Sequence, residues 1–249
     1  MADADREVPG GAGPDPLPLL EGIATTRAIR RYRDEPIPDE DLAAMFFAAT
    51  RAPQGSNRQG FRFVVLRDGP RAAEARRLLQ AGAERLWGGK RSRDGYDEGS
   101  GARADSPKAR MARTMQHFTE HFGEAPVIVL ACLWLHRPAS LDMGGSVYPA
   151  VQNLLLAARQ LGYGGVITGV HGYCDEARLR ELLDIPPPDQ VAIAATVPLG
   201  RPVGSHGPVR RRPLRQVVYD DAWGAEAPWA ADPPGARFTS PGPPSGLRV

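Results

Sequence analysis

The sequence predicts one domain of the α+β or α/β class, with a mixed β-sheet between layers of helices. Helical and strand-like patterns alternate along most of the 249 residues, and a hydrophobic content of 42% is enough for a substantial core. Proline and glycine crowd both ends. We therefore expect a flexible tail over 1–18, a domain over 19–224 with a helical insertion at 71–122, and a second tail over 225–249.

The first amphipathic helix is predicted in "PIPDEDLAAMFFAATRAP", where apolar residues recur at positions 42, 45, 46 and 49. Asp39 is the expected N-cap and Pro53 the expected stop. The polar segment "APQGSNRQG" follows, and then "FRFVVLRD", whose alternating apolar residues predict a strand. Small polar residues let a backbone approach a ligand closely, but they also suit an ordinary solvated loop, so both interpretations stay open.

The segment from 71 to 122 is predicted to form two helices joined by a long polar loop. Loops of that length are unusual inside a compact domain, which indicates a lid or a substrate-facing insertion. The continuous apolar run "APVIVLACLWL" that follows is typical of a buried strand.

A helix that is apolar almost all round is predicted in "YPAVQNLLLAARQLGYGG", with Pro149 near its start and Gly162 at its end. Such a helix belongs in a core or a subunit interface. The segments "GGVITG" and "VAIAATVPLG" supply two more strands, separated by the short helix "DEARLRELLDI".

Charge and cysteine content narrow the class of protein. Arginine and lysine total 31 against 29 acidic residues, and a net charge of +2 gives no general attraction to nucleic acid or to an anionic membrane. Cys132 and Cys174 lie far apart, which argues against a disulfide framework and a zinc site. No apolar run approaches the roughly 20 residues of a membrane span. We expect a soluble cytoplasmic protein with no nucleic-acid or membrane partner.

Several familiar catalytic signatures are missing from the sequence. It contains no GxxxxGK[ST], no GxGxxG after a strand, no HExxH and no GxSxG. His117 and His121 are spaced i, i+4 on a predicted helix and could ligate a metal, but no third ligand is evident. An exposed helix face is the favoured interpretation, and we predict no metal site.

Two arginine clusters stand out, "TTRAIRRYR" at 25–33 and "VRRRPL" at 209–214. Guanidinium groups bind phosphate bidentately and stay charged at every relevant pH. The clusters could form one anion pocket if the fold brings them together, or they could serve only solubility.

Three ordered motifs resemble the nitroreductase superfamily of FMN flavoproteins. The segment from "TRAIRRYR" through "APQGSNRQGFRFVVLRD" is similar to its opening pattern, approximately RRSxRxF followed by APSGSNxQPWxFVVV. "YPAVQNLLLAARQLGYGGVITG" resembles its central helix and next strand. "LLDIPPPDQVAIAATVPLGRP" together with the later "RRRPLRQVVYDDAWG" resembles its close. The resemblance covers about residues 20 to 224 apart from the insertion, and it implies an α+β fold in an intertwined homodimer.

The resemblance also implies roles for individual residues. Arg27 and Arg211 match positions near the FMN phosphate, and Arg30 matches the position beside the N1/O2 edge of the isoalloxazine. Residues 53–57 match a loop that contacts the flavin across the dimer interface. The implied FMN-contacting residues are Arg27, Ala28, Arg30, Pro53, Gln54, Gly55, Ser56, Asn57, Thr168, Gly169 and Arg211.

This sequence departs from the family pattern at several of these positions. Thr26 and Ala28 replace an arginine and a serine, which removes one charge and one hydroxyl from the expected cradle. Gln54 replaces the usual serine, and Gly60 and Phe61 replace a Pro-Trp pair.

The function implied by the resemblance is an FMN-dependent oxidoreductase, in which FMN carries the chemistry and no catalytic side chain is assigned. NADH or NADPH would be the reductant, and an electron-poor compound such as a nitroaromatic or quinone the acceptor. Alternatives are an oxygen-using dehydrogenase or oxidase or a flavin-fragmenting dimethylbenzimidazole synthase-like enzyme on this fold, and a non-catalytic anion- or RNA-binding module. The insertion supplies a candidate substrate wall, whose aromatic side chains could equally be core: Trp87, Tyr96, His117 and Phe118.

Overall fold

The computed structural model describes residues 16–238, and it confirms the α+β class. Six α-helices lie in this part of the chain: α1 (Leu19–Thr25), α2 (Asp39–Thr50), α3 (Pro70–Arg93), α4 (Pro107–Glu120), α5 (Tyr148–Gln160) and α6 (Glu176–Leu182). The four strands are β1 (Phe61–Leu66), β2 (Val127–Trp134), β3 (Gly164–Gly165) and β4 (Val191–Gly200).

The four strands form one sheet in the order β1-β2-β4-β3. Each neighbouring pair is antiparallel, so these strands do not form the mixed sheet that the alternating pattern suggested. Strand direction is set by long-range pairing, which a local pattern does not contain. Among residues 16–238 the one parallel pairing is an isolated bridge between Arg211 and Phe238.

Two hydrophobic cores lie on the two faces of the sheet, and β2 contributes to both. Val127, Val129 and Ala131 pack with α2 and α5, whereas Ile128 and Leu130 pack with α3 and the end of α4. This is the period of two expected of a strand buried on both faces. The predicted apolar helix α5 belongs to the first core, where five of its side chains are buried: Ala150, Val151, Leu154, Leu155 and Ala158.

Local predictions differ from the structure in three places. Asp39 is the first residue of α2 rather than its cap, and its carboxylate instead pairs with Arg67 at 2.6 Å. Within "GGVITG" only Gly164–Gly165 forms a strand, and Thr168 adds an isolated bridge. Helix α1 was not expected, because a seven-residue helix with Leu19 and Leu20 exposed has no amphipathic pattern to recognise.

The insertion consists of the two predicted helices, α3 and α4, joined by turns and a short 3₁₀ helix over Gly99–Ala102. The side chain of Ser106 caps α4 by accepting a hydrogen bond from the amide of Ala109 at 2.9 Å. Arg76 of α3 fixes the insertion to the sheet by donating to five backbone carbonyls, those of Leu66, Arg67, Gly123, Ala125 and Pro126.

The chain after β4 folds back on the domain. Residues 225–238 contain no α-helix or strand, as their composition predicts, but they are anchored to the preceding segment. The amide of Arg211 donates to the carbonyl of Arg237 at 3.2 Å, and the carboxylate of Asp232 accepts from the amide of Leu214. The predicted N-terminal tail lies outside the described residues except for 16–18. No helix within 16–238 is long and apolar enough to cross a bilayer.

Candidate functional site

Backbone pairing brings the two arginine clusters side by side. The amide of Gly207 donates to the carbonyl of Thr25 at 3.1 Å, and that of Val209 donates to the carbonyl of Ala24 at 3.3 Å. Arg27 and Arg211 therefore extend from two adjacent segments, and both side chains are exposed. The two bonds pair the segments in opposite chain directions, so Arg27 and Arg211 follow the paired stretch at opposite ends, and one anion pocket formed by both stays a prediction.

Arg30 is the most unusual charge in this region. It is half-buried, and its guanidinium has no hydrogen bond or carboxylate partner among residues 16–238. Burial lowers its pKa, and repulsion from Arg27 acts in the same direction, against the opposing effect of Tyr32 and Tyr96. A partly desolvated cation without a counter-charge is costly, so this position favours an anionic or electron-rich ligand.

His206 supports the backbone of Arg27, a role that the sequence analysis missed. Its Nε2 lies 3.0 Å from the carbonyl of Tyr163, which assigns the proton to Nε2. The other nitrogen, Nδ1, then accepts from the amide of Arg27 at 3.5 Å. Burial lowers the pKa of His206, which keeps the imidazole in this neutral form.

The polar segment between α2 and β1 is an exposed loop with strained backbone. Ser56, Asn57 and Gln59 all have positive φ, at 54°, 50° and 49°. Left-handed conformations of residues other than glycine are costly and cluster at ligand sites. Gln54 fixes the base of the loop by donating to the carbonyl of Ser146 at 2.7 Å.

This loop borders a cavity of about 550 Å³ at the ends of β1 and β2. Gln54, Gly55 and Ser56 line one side of the cavity, and Trp134 lines another. Pro53 and Asn57 are exposed at the same loop without lining it. The loop residues are therefore available to a ligand or to another chain.

Thr168 and Gly169 occupy the turn after β3. The backbones of Thr168 and Thr196 of β4 exchange two hydrogen bonds of 2.9 Å. The hydroxyl of Thr168 also donates to the carbonyl of Thr196, at 2.7 Å. Gly169 is exposed, and so is Ala28 in the arginine segment. The segment with Ala28 and Arg30 is joined to β3 by a bond of 3.0 Å from the amide of Ile29 to the carbonyl of Gly165.

The four residues of the candidate substrate wall differ in burial: two are buried and two keep accessible surface. Trp87 and Phe118 are only 2% and 4% exposed, so neither side chain offers surface to a substrate. Phe118 packs in the second core, and the indole nitrogen of Trp87 donates to the side chain of Gln116 at 2.7 Å. Amphipathic spacing fits a core face as well as a pocket face, which is why the sequence did not separate them. Tyr96 and His117 are half-buried and keep accessible surface. The Tyr96 ring packs on that of Trp87 at 5.0 Å.

His117 of α4 and His121, the residue that follows this helix, lie next to each other. Their rings pack edge to face with centroids 4.4 Å apart, and His121 interacts with Glu124 at 2.9 Å. No group of three His, Cys, Asp or Glu side chains within 16–238 is arranged to hold a metal ion. Both histidines line a second cavity, of about 650 Å³, whose opposite wall is the segment Arg30 to Asp34.

Comparisons with known proteins agree with this architecture. The sequence model of the nitroreductase family matches residues 23–201. An NADH dehydrogenase of Thermus thermophilus is 30% identical over 205 residues, which are 81% of this chain and 97% of that protein.

Solved structures of proteins with this fold are also similar to the chain. A protein of Desulfovibrio desulfuricans, crystallised in complex with FMN, has a TM-score of 0.58 and 27% identity, and the match covers 83% of this chain and 98% of that one. The NADPH:FMN oxidoreductase of Vibrio harveyi, solved with NAD⁺, has a TM-score of 0.57 and 22% identity over 82% of this chain and 76% of its own. At that identity the second likeness concerns the fold alone.

Proposed function

The chain belongs to the nitroreductase family of oxidoreductases, and from this premise we propose that it binds FMN and uses NADH or NADPH to reduce an electron-poor small molecule. Nitroaromatics and quinones are the acceptor classes that we propose. The observation that carries the proposal is the half-buried guanidinium of Arg30, which has no counter-charge among the described residues.

Arg30 fits the pyrimidine edge of a flavin for an electrostatic reason. Reduction leaves negative charge at the N1/O2 edge of the isoalloxazine, and a fixed cation there stabilises that charge. Arg30 has no competing carboxylate among the described residues, so no ion pair has to break when the ligand arrives. Its partial burial strengthens the interaction, because water screens it less.

Arg27 and Arg211 would hold the phosphate of FMN. They extend from segments joined by the backbone bonds at Thr25 and Ala24, and neither side chain is committed to a carboxylate within 16–238. His206 would act indirectly, by fixing the backbone of Arg27. The FMN complex of the Desulfovibrio desulfuricans relative, 27% identical to this chain, supports the choice of this cofactor.

The chemistry that FMN supplies when bound is two-electron transfer between reduced nicotinamide and an acceptor. The residues of this chain would bind the flavin, orient it and polarise its ring system. The amide of Gly169 would face the flavin from the turn after β3, and the hydrogen bonds of Thr168 to Thr196, which include the Thr168 amide, would hold this turn in place. No side chain needs to act as a nucleophile, which agrees with the missing hydrolase signatures.

We also propose that two chains form the complete site. The strained loop with Ser56 and Asn57 is exposed, and its small polar residues would contact the flavin held by a second copy. Large apolar side chains exposed elsewhere on the described surface would be covered in the dimer. Those with the greatest exposure on α1, on α2 and in the 3₁₀ helix Leu141–Ser146 before α5 are Leu19, Leu20, Phe47 and Leu141.

The test is steady-state oxidation of NADH and NADPH by the FMN-loaded protein, with a nitroaromatic or a quinone as acceptor and oxygen excluded. Sustained turnover with either acceptor class supports the proposal. Product formation that needs oxygen and does not occur with these acceptors would replace it with an oxygen-using function on the same fold. A protein that takes up no flavin and retains polyanions would replace it with a non-catalytic binding function.

A further inference from the structure

We propose that the cavity between residues 30–34 and the second half of α4 binds an anionic group of the electron acceptor. We call this cavity the α4 crevice; Arg30, Arg31 and Arg33 lie on one wall and His117 and His121 on the other. The inference rests on the proposed function, because Arg30 would connect the crevice to the flavin. It narrows the acceptor class to compounds that carry a carboxylate or a comparable anion.

Arg31 is the strongest anion-binding group in the crevice. Its side chain is exposed, and its guanidinium has no hydrogen bond or ion pair with any residue of 16–238. Its backbone is fixed nonetheless, because its carbonyl accepts from the amide of Val203 at 3.1 Å. A free guanidinium on a fixed backbone can bind a carboxylate through two parallel hydrogen bonds without first breaking another contact.

The other charges of the crevice leave Arg31 available. Arg33 is 3.6 Å from Glu35, and the carboxylate of Glu124 already interacts with His121 at 2.9 Å. Asp34 also lines the crevice and has no ion pair. Asp34 and Glu124 both border a neighbouring cavity as well, so the acidic charge lies at the end of the crevice that faces this cavity. An anion would therefore be held at the Arg30 and Arg31 end, away from these two carboxylates.

His117 gives a second, independent indication of a ligand. Its Nδ1 is inaccessible to solvent and has no hydrogen-bond partner, although the residue lines the crevice. Unsatisfied buried polar atoms are rare in proteins, because each one loses its hydration without compensation. Rotation of the imidazole away from His121 would bring Nδ1 into the crevice, where an acceptor oxygen between Arg31 and His117 would provide the missing partner when Nδ1 carries the proton.

The size and position of the crevice suit a small substrate. Its volume of about 650 Å³ lies within the usual range of small-molecule sites. Tyr96 of the insertion acts electrostatically on Arg30, and Arg30 itself lines the crevice. An acceptor anchored at Arg31 would keep its reducible group on the Arg30 side.

The experiment compares a charged and a neutral ligand of the same shape. Dissociation constants of 4-nitrobenzoate and 4-nitrobenzamide are measured by calorimetry on the oxidised protein as isolated with its cofactor, and kcat/KM is measured for both as acceptors. The wild type is expected to favour the anion. Arg31→Met is expected to lower that preference about tenfold or more, the loss typical of one charge-assisted hydrogen bond.

Two further variants make the result specific. His117→Leu is expected to weaken nitrobenzoate binding and leave nitrobenzamide binding unchanged. Arg178→Met, which removes an exposed charge on α6 that is paired with Glu181, should leave the preference for the anion unchanged.

The inference is overturned if the wild type does not prefer the anion, or if Arg31→Met keeps the full preference. It is also overturned if Arg31→Met raises only the KM for NADPH and not that for NADH, since the arginine would then bind a nicotinamide phosphate. Binding by calorimetry does not need turnover, so failure of the proposed reductase activity remains distinguishable from failure of the crevice assignment.

Discussion

The amide of Ile29 donates a 3.0 Å hydrogen bond to the carbonyl of Gly165, and this contact fixes the arginine segment against the sheet. Ile29 lies between Arg27 and Arg30, the two residues proposed to hold opposite ends of FMN. The contact is possible because position 164 is a glycine. A β-carbon at Gly164 would lie 2.5 Å from Cγ1 of Ile29 and 2.9 Å from Nε2 of His206.

Gly164→Ala is therefore expected to lower the free energy of unfolding by about 1–3 kcal/mol, the usual cost of overpacking a tight contact. It should also weaken FMN binding, because both Ile29 and His206 would have to move. Gly172→Ala is the matched control, since a β-carbon there meets no atom within 4 Å. Equal stability and equal FMN affinity in the two variants would remove Gly164 from this role.

Arg211→Ala is expected to weaken FMN binding at least tenfold, the loss of one charge-assisted hydrogen bond to phosphate. Riboflavin has the same ring system and no phosphate, so its affinity should be the same in the variant and the wild type. Titration of the apoprotein with both flavins measures the two effects. An equal loss for FMN and riboflavin would place Arg211 away from the phosphate.

Arg76→Met should destabilise the fold by about 3–5 kcal/mol, because five carbonyls lose the guanidinium that satisfies them. The adjacent Arg77→Met is the control, since Arg77 forms only an exposed ion pair with Glu74, whose loss should change the stability little. Urea unfolding measures both values. Similar midpoints for the two variants would show that the Arg76 contacts contribute little.

Stability is expected to fall as the pH drops below about 6.5. Burial lowers the pKa of both His206 and His171 from their ordinary value of 6.5. Protonation therefore favours the unfolded chain, where these histidines take up protons first. The stabilisation that the two neutral histidines give the folded state is complete above about pH 6.5. It is lost as the pH falls towards their lower pKa in the folded state.

Urea unfolding at pH 7.5 and 5.5 checks this expectation. The difference between the two pH values should shrink in His206→Gln and in His171→Gln, and should persist in His136→Gln, whose side chain is exposed. A wild-type stability that does not change between these pH values contradicts the account.

The sequence predicted α2, α5, β1, β2 and β4 because their apolar residues repeat with the period of a helix or a strand, and that period is a local property. The sequence also suggested that the two arginine clusters could form one anion pocket. The direction of each strand, by contrast, depends on pairings such as that of Phe61 with Leu133, far apart in the chain.

Two features of the site could not be predicted from local sequence patterns. His206 acts through Arg27 and Tyr163, which are 179 and 43 positions away, and a single histidine in a glycine-rich loop gives no signal of such contacts. Trp87 and Phe118 have the same helical spacing whether they face a core or a ligand, so only the folded structure could separate them from Tyr96 and His117.

The central claim is that Arg30, together with Arg27 and Arg211, binds FMN, and a titration of the flavin-free protein with FMN tests it most directly. Quenching of flavin fluorescence gives both the affinity and the stoichiometry. We predict saturable binding of one FMN per chain, and a large loss of affinity in Arg30→Met. No uptake of FMN by the folded wild-type protein would contradict the account.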